Sequence, residues 1–368
     1  MSASWHGVRT VAVLELRQRV RSTRWVVALV VWFVVVGAIT ALSWAAIHGL
    51  GGGPGVDGGL PEEVFTGPPI FGVVVFFVLF LGLLVSPTLS ATSINGDRNA
   101  GTLATLQVTM LSPAQIAVGK LLAAWVAALA FLAVSVPFLV LALAAGGVPV
   151  VAVVVCLVVL ALLLAVVCAI GLGFSALSPR TSGSAVLTFL SVAALTVLSP
   201  VVFALTVPAV TQDEPVRVWS VPLDYDWESG EPPECEWRTE TMPVFHTERT
   251  WWLLAVNPFV ILADAAPEAR QAATVSDPLA AIRTAVRAAR TGPATEQDWC
   301  TDTFGSFTSD GTPVAPAQSP VDVPEPDRSV VWPYGLAVEL LLGAAGLAVA
   351  IRRLSIPQRR LARGTRVA

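Results

Sequence analysis

The chain has a single lysine among 22 basic residues, Lys120, and it follows Gly119. A phosphate-binding loop needs glycine, four residues, then Gly-Lys-Ser/Thr, so that successive backbone amides cradle the phosphate. Here Ala114 stands where the first glycine belongs and Leu121 where the hydroxyl residue belongs. The pattern fails, and Lys120 reads more simply as a membrane anchor whose ammonium snorkels toward the headgroups. Glu62-Glu63 is an adjacent acid pair of the kind an intramembrane protease uses, but its Gly- and Pro-rich loop, Gly49 to Pro69, supplies no His or basic partner. His246 has no partner at ligand spacing, so no metal site is expected. Arg283, Arg287 and Arg290 share a helical face, which fits either an anionic headgroup or a solvated face paired with local acids. Glu339 sits inside a long apolar run, as a functional candidate or as a plain hydrogen-bonded or snorkelled acid.

These residues are carried by elements that composition identifies. With 55% hydrophobic and 13% charged residues and a mean hydropathy of +0.72, the chain is not an ordinary soluble domain, whose charged fraction is nearer a quarter. Runs of about 20 apolar residues cross a bilayer core as helices. Six are visible: Trp25 to Ile47, Ile70 to Thr92, Leu121 to Ala145, Val148 to Leu177, Ala185 to Val207 and Val330 to Ile351. The first is too long, and preceded by too much basic sequence, to be a cleaved signal peptide, and it reads as a retained anchor.

Six spans place both termini on one side. That side then holds 14 basic residues, including Lys120, Arg180 and the six arginines from Arg352 to Arg366, against two acids, Glu15 and Asp97. The other side holds 8 bases and 23 acids. Positive charge in short loops sets orientation, so cytoplasmic N and C termini in a multi-pass cell-membrane protein are expected. The segments are residues 1–24, a basic interfacial helix or plain anchor; 25–210, the first five spans, with a cytoplasmic loop at 94–119; 211–329, an extracellular insertion; 330–351, the sixth span; and 352–368, a basic tail.

Pro137 and Pro200 are expected to kink spans three and five, and small residues such as Gly171 and Gly173 to allow close helix packing in lipid. Spans three to five hold no charged residue, which argues against an ion relay through their centres. In the insertion, Cys235 and Cys300 lie on the oxidising side and are expected to pair, whereas Cys156 and Cys168 lie in span four as packing thiols. Trp251 to Ala266, broken by Asn257-Pro258, is too short to span and reads as an interfacial or re-entrant helix anchored by Trp251 and Trp252. Asp277-Pro278 opens a helix with Leu279, Ile282, Val286 and Ala289 on one face and Gly292 at its end.

The polar interval between spans two and three carries the most specific signal. Asn95-Gly96 is a turn signal, Gly101-Thr102 is a flexible break with an N-cap, and Leu103, Leu106 and Met110 recur at helical spacing as an apolar ridge. Such a ridge suits docking into a groove of a soluble partner. Ser112-Pro113 then gives an N-cap with Pro at the first helical position, leading into span three. Arg98, Gly101, Thr102, Leu103, Leu106, Thr109, Leu111, Ser112, Gly119 and Lys120 make this interval resemble the cytoplasmic loop of type-2 permeases of the ATP-binding cassette (ABC) transporter superfamily. Asp97 stands where that family usually has Glu, and Met110 where it usually has Pro.

The resemblance implies an all-α integral membrane protein with six spans, no ATPase of its own, and a separate nucleotide-binding ATPase subunit docked through Asp97, Arg98, Gly101, Thr102, Leu103, Leu106 and Met110. ATP and Mg are then expected on that partner and no cofactor on this chain. A second permease subunit, identical or not, and membrane lipids complete the expected partners; nucleic acid is not among them. A lipid-like, amphipathic or drug-like cargo moved outward fits the uncharged spans. The competing reading is a non-transporting scaffold or signalling protein whose extracellular domain binds a partner.

Overall fold

A computed structural model describes residues 5–51, 66–102, 111–222, 224–225, 235–267, 277–294, 296–300 and 329–355. The chain divides into two compact units. One comprises Met1–Pro200, Ala255–Thr284 and Val330–Ala368, and the other Val201–Leu254 and Ala285–Ser329.

The first unit is a helical membrane bundle. Helix α1 (Trp5–Val20) precedes the first span, α2 (Thr23–Gly51), and the second span, α3 (Gly67–Ser90), is followed by the short α4 (Ser93–Asn99). The third span is α5 (Pro113–Ala144) and the fourth α6 (Val150–Leu177). The fifth is α7 (Thr181–Ala193), a π-turn at Ala194–Leu198, and α8 (Ser199–Thr206). Two short helices, α9 (Trp252–Ala255) and α10 (Pro258–Ala265), and a longer one, α11 (Pro278–Thr291), precede the sixth span, α12 (Trp332–Ser355); α8 from Val201, α9 up to Leu254 and α11 from Ala285 are counted with the second unit. All six spans expected from hydropathy are present as helices long and apolar enough to cross a membrane.

Where the boundaries differ from the apolar runs, a cap explains the difference. Span three begins at Pro113, eight residues before the uniformly apolar stretch, because Ser112 closes a capping box with Gln115: the Gln115 amide donates to Ser112 Oγ (3.2 Å) and the Ser112 amide to Gln115 Oε1 (2.7 Å). Span six begins at Trp332, where Asp264 Oδ2 accepts from the amides of Val331 (2.5 Å) and Trp332 (2.8 Å). A carboxylate at a helix N-terminus satisfies amides that have no partner in the helix itself.

Span five shows how a proline is accommodated in a helix that has no water to repair it. Pro200 lacks the amide that would bond the Thr196 carbonyl, and the Ser199 amide reaches back five residues to Ala194. Asn257 Nδ2 takes the freed Thr196 carbonyl (2.9 Å) and also donates to Ser199 Oγ (3.1 Å). The same side chain's Oδ1 accepts from the Phe259 amide and so caps α10 (2.9 Å). One asparagine thus repairs a broken span and starts the next helix.

The core runs between α3, α5 and α6, with Ile70, Val74, Val75, Leu79, Leu139, Leu160 and Leu163 at most 1% exposed. Ile261 and Leu262 of α10 are equally buried in it, so α10 is packed into the bundle. Spans four and six approach closely through glycines: a Cβ on Gly173 would stand 2.8 Å from Gly346 Cα.

The second unit contains a three-stranded sheet in the order β2-β1-β3, built from β1 (Thr211–Ser220), β2 (Glu236–Phe245) and β3 (Glu296–Asp298). β1 pairs antiparallel with β2 from Thr211↔Phe245 to Ser220↔Glu236 and parallel with β3 from Arg217↔Glu296 to Trp219↔Asp298. Val216, Val218 and Ser220 alternate inward, as strand geometry requires, and Val244 joins them. The helical reading therefore holds for the membrane layout, and the insertion adds this small sheet, whose two long strands are too rich in charged and polar residues to announce themselves by hydropathy. Cys235 and Cys300 are joined as a disulfide with Cα atoms 6.3 Å apart, linking the residue before β2 to the segment after β3.

Candidate functional site

The end of the bundle that carries the chain termini is a polar junction between α1, α4, α5 and α6. Helix α1 lies against α5 because glycines let it in: a Cβ on Gly119 would stand 2.7 Å from Val11 Cβ and 3.0 Å from the Val8 carbonyl. Gly7 makes the reciprocal approach to Leu111 and Gln115. Val8, Val11 and Ala12 are buried there, while Arg9, Arg17 and Arg21 stay exposed.

That approach delivers Glu15 to Lys120. The Lys120 side chain is fully buried, and its ammonium donates to Glu15 Oε1 and to Asp97 Oδ2, the latter at 2.5 Å. Lys120 is therefore not a snorkelling anchor. Its charge is held inside the protein because two carboxylates from two other helices offset the loss of hydration. The only two acids between the N-terminus and span three on this side of the chain thus both meet its only lysine.

A second knot fixes the root of the 97–113 loop. Asn95 is completely buried; its Nδ2 donates to Ser184 Oγ (2.7 Å) and to the Arg180 carbonyl (3.3 Å), and its Oδ1 accepts from Ser175 Oγ (3.2 Å). Ser175 Oγ also accepts from the Ile94 amide (2.9 Å), and Ser184 Oγ donates to the Ala91 carbonyl (2.6 Å). Span four, span five and α4 are thereby stitched together where the chain leaves span two. Arg19 adds a tie from α1 to the same place, its Nη2 donating to the Leu89 carbonyl (2.8 Å).

Arg98 ends α4 with its Nε buried and without a hydrogen bond among the described residues. Gly101 has φ +74°, in the left-handed region that glycine occupies without strain, and no atom of the described residues lies within 4 Å of where its Cβ would be. Thr102 Oγ1 turns back to the Asp97 carbonyl (3.3 Å). The apolar ridge residues Leu103, Leu106 and Met110 fall outside the described residues. The described ends of this interval are the root at Asp97 with the turn at Gly101, and the Ser112 cap of span three.

A family model for the ABC-2 family transporter protein matches residues 9–307, from within α1 to beyond β3. The chain belongs to the ABC-2 transporter family. No match is found among curated proteins. Membership identifies an ABC transporter permease, a non-catalytic membrane subunit, and implies an ATP-binding partner subunit in general.

In this permease the insertion end of the bundle uses a different set of residues. Arg283, one of the three arginines expected on a solvated face, is 7% exposed and turned inward. Its Nε donates to the Ala263 carbonyl (3.1 Å) and its Nη2 to the Ala266 carbonyl (2.6 Å), capping the C-terminal end of α10. Asp277 Oδ1 accepts from the Leu279 amide (3.0 Å) and starts α11, and burial pushes its carboxyl above the usual range. Asp264, on α10, caps span six as described above. Glu339 of span six is 1% exposed, and neither carboxylate oxygen has a hydrogen-bond partner among the described residues. Helical spacing puts it on the face of Gly335 and Gly343, which pack against Ala255 and Val166.

In the insertion unit, Trp252 is exposed and its indole N–H donates to the Arg249 carbonyl (3.1 Å), while Arg290 lies over the Trp251 ring at 5.1 Å. His246 bridges two acids, with Nδ1 2.8 Å from Glu248 Oε1 and Nε2 3.1 Å from Glu214 Oε1. The hydrogen bond to Glu248, and then that to Glu214, raises its pKa above the usual histidine value.

Sequence reading missed Glu15, Asn95, Asn257 and Asp264 as structural centres. A signal for Glu15 was present in the charge count, since one lysine and two acids in otherwise arginine-rich segments form an obvious set. Asn257 and Asp264 carry no such mark, because any polar residue between apolar runs looks like a turn.

Proposed function

We propose that this chain is the membrane-spanning subunit of an ATP-driven exporter, with both termini cytoplasmic, coupled through residues 97–113 to a separate ATPase subunit. ATP and Mg then act on that partner. A second permease subunit completes the transporter, and the cargo is lipid-like, amphipathic or drug-like, in keeping with spans three to five that hold no charge beyond the buried Lys120 at their foot. The orientation rests on the charge bias of the short loops.

The observation that carries this reading is the Lys120 junction. A force applied to the loop at Asp97 reaches span three through Lys120 and α1 through Glu15, and the Asn95 knot passes it to spans four and five. A docked ATPase that moves the loop therefore moves several spans together. Such a device has a use in a transporter and none in a passive scaffold.

The test is to co-express the permease with its cognate ATPase and to replace Leu106 with Asp. Burying an unpaired charge in the docking contact should cost several kcal/mol of association. Co-purification and cargo-stimulated ATP hydrolysis are both expected to be lost while the spans still insert. Unchanged binding and hydrolysis would remove the loop from its coupling role.

A further inference from the structure

A groove of about 570 Å³ runs along the bundle between the first and second spans. That volume is within the range of small-molecule sites. Its terminal end is lined by Arg19, Ser22 and Arg24, and its length by apolar side chains of both spans from Trp25 and Leu89 to Val35 and Leu81. Among the described residues no acid lines it, and Glu15 lies close enough to act on the charge of Arg19. Phe131 forms the floor, held edge-on by Trp25 and Trp32 with ring centroids 5.1 Å away in each case. Trp32 is itself fixed by its indole N–H donating to Ser135 Oγ (2.9 Å).

Two features of the groove define its occupant. From Arg24 to Val35 the helix rises about 16 Å at about 1.5 Å per residue, roughly half a hydrocarbon core of about 30 Å. The trough is thus the length of one leaflet and ends at a basic mouth. Arg24 is exposed and has no ion pair among the described residues, and the nearby carboxylate of Glu15 is already committed to Lys120. A mouth with two arginines, of which Arg24 has no ion pair among the described residues, over a one-leaflet apolar trough is complementary to an anionic amphiphile.

We infer that the groove between spans one and two binds one anionic phospholipid from the leaflet at the terminal end, its phosphate at Arg24, Ser22 and Arg19 and one acyl chain along Ala28, Val31 and Leu84. The site touches α1 and the root of the loop through Arg19 and Leu89, so its lipid would lie against the junction described above. The inference concerns binding and does not depend on the transport reading.

The full-length protein, purified in micelles containing equal amounts of phosphatidylglycerol and phosphatidylcholine, can be examined by native mass spectrometry. One retained phosphatidylglycerol per chain is expected, in preference to phosphatidylcholine. Arg24→Gln is expected to lower retention about tenfold, the scale of one lost charge-assisted hydrogen bond. Ala28→Trp, which fills the trough without touching charge, is expected to do the same. Val154→Trp, at an exposed position of span four, should leave retention unchanged. Arg19 is left intact because it also bonds the Leu89 carbonyl. Equal retention of the two lipids, or equal effects of Ala28→Trp and Val154→Trp, would show ordinary boundary lipid and overturn the site. Loss of a dimer in Ala28→Trp with lipid retention unchanged would give the groove to a second copy of the chain and overturn it equally.

Discussion

The two ends of the membrane bundle bury charge in opposite ways. At the terminal end, Lys120 is satisfied by carboxylates from two other helices, Glu15 and Asp97, so the contact is between side chains on elements that need not move as one. At the insertion end, Asp264 is satisfied by the amides of Val331 and Trp332, and Arg283 by the carbonyls of Ala263 and Ala266. Those partners are helix termini, fixed in direction by the backbone. Side-chain pairs tolerate a shift of an ångström by rotating, whereas a cap is lost when its helix end turns away. The difference teaches that the terminal end is joined by side chains that can follow one another through a small shift, and the insertion end by caps that fix the direction of a helix end.

The comparison can be broken most severely at Lys120. Lys120→Met leaves Glu15 and Asp97, both still partly open to water, without their counter-charge, and a cost of about 3 kcal/mol is expected, the low end for a broken buried pair. Thermal unfolding of the purified protein would record it. If the loss comes from orphaned carboxylates, adding Glu15→Gln and Asp97→Asn should restore most of the stability while coupling to the ATPase stays impaired. A triple variant as unstable as the single one would mean that Lys120 acts by packing alone.

At the opposite end, Asn257→Leu removes the donor that covers the Thr196 carbonyl exposed by Pro200. An unsatisfied buried carbonyl costs about 1–3 kcal/mol. Because Asn257 also caps α10, amide exchange should quicken in both span five and α10 and stay unchanged at the Asn95 knot. Exchange that quickens throughout the bundle would contradict the separation of the two ends.

A smaller effect is expected at Gly101, where the backbone is left-handed and no described residue lies within 4 Å of an added Cβ. Gly101→Val introduces strain of about 1–2 kcal/mol without a clash. Bulk stability should barely change, because the loop can shift to relieve it, but ATP hydrolysis should become poorly coupled to transport with the partner still bound. Normal coupling would mean that the turn at Gly101 does not orient the docking segment.

The mildest test lies in the insertion unit. His246 has a folded pKa raised by Glu248 and Glu214, so its contribution to stability is fully present below the ordinary histidine range and is lost as pH rises through the higher folded value. The unit is therefore expected to melt at lower temperature as pH is raised across neutrality, and His246→Gln should flatten that slope. A slope unchanged in the variant would assign the pH dependence to other groups.

Much of this architecture was legible in the sequence because the bilayer imposes length and hydropathy on every span. Trp25 to Ile47 reads as a membrane helix whatever it packs against, and Ser112-Pro113 marks the start of span three by local capping alone. Asn257-Pro258, by contrast, reads only as a break, although the asparagine caps α10. The strands of the insertion were less visible, since Thr211–Ser220 alternates over only three buried positions and is interrupted by Asp213, Glu214 and Pro215.

What composition determined, then, is that the chain crosses the membrane six times, which segments carry the positive charge, and that Cys235 and Cys300 are placed to pair. Those properties follow from transfer free energies and redox chemistry, which act residue by residue. Only the tertiary structure decided what Lys120, Arg283, Asn257 and Asp264 do, because each is satisfied by a group that comes from another element. Lys120 and Glu15 are separated by 105 positions, and Asp264 and Trp332 by 68. A polar residue in an apolar chain states that a partner must exist. The identity of that partner is set by which helices pack together, and here that packing depends on close approaches at Gly119 and Gly7 that no single residue's chemistry specifies.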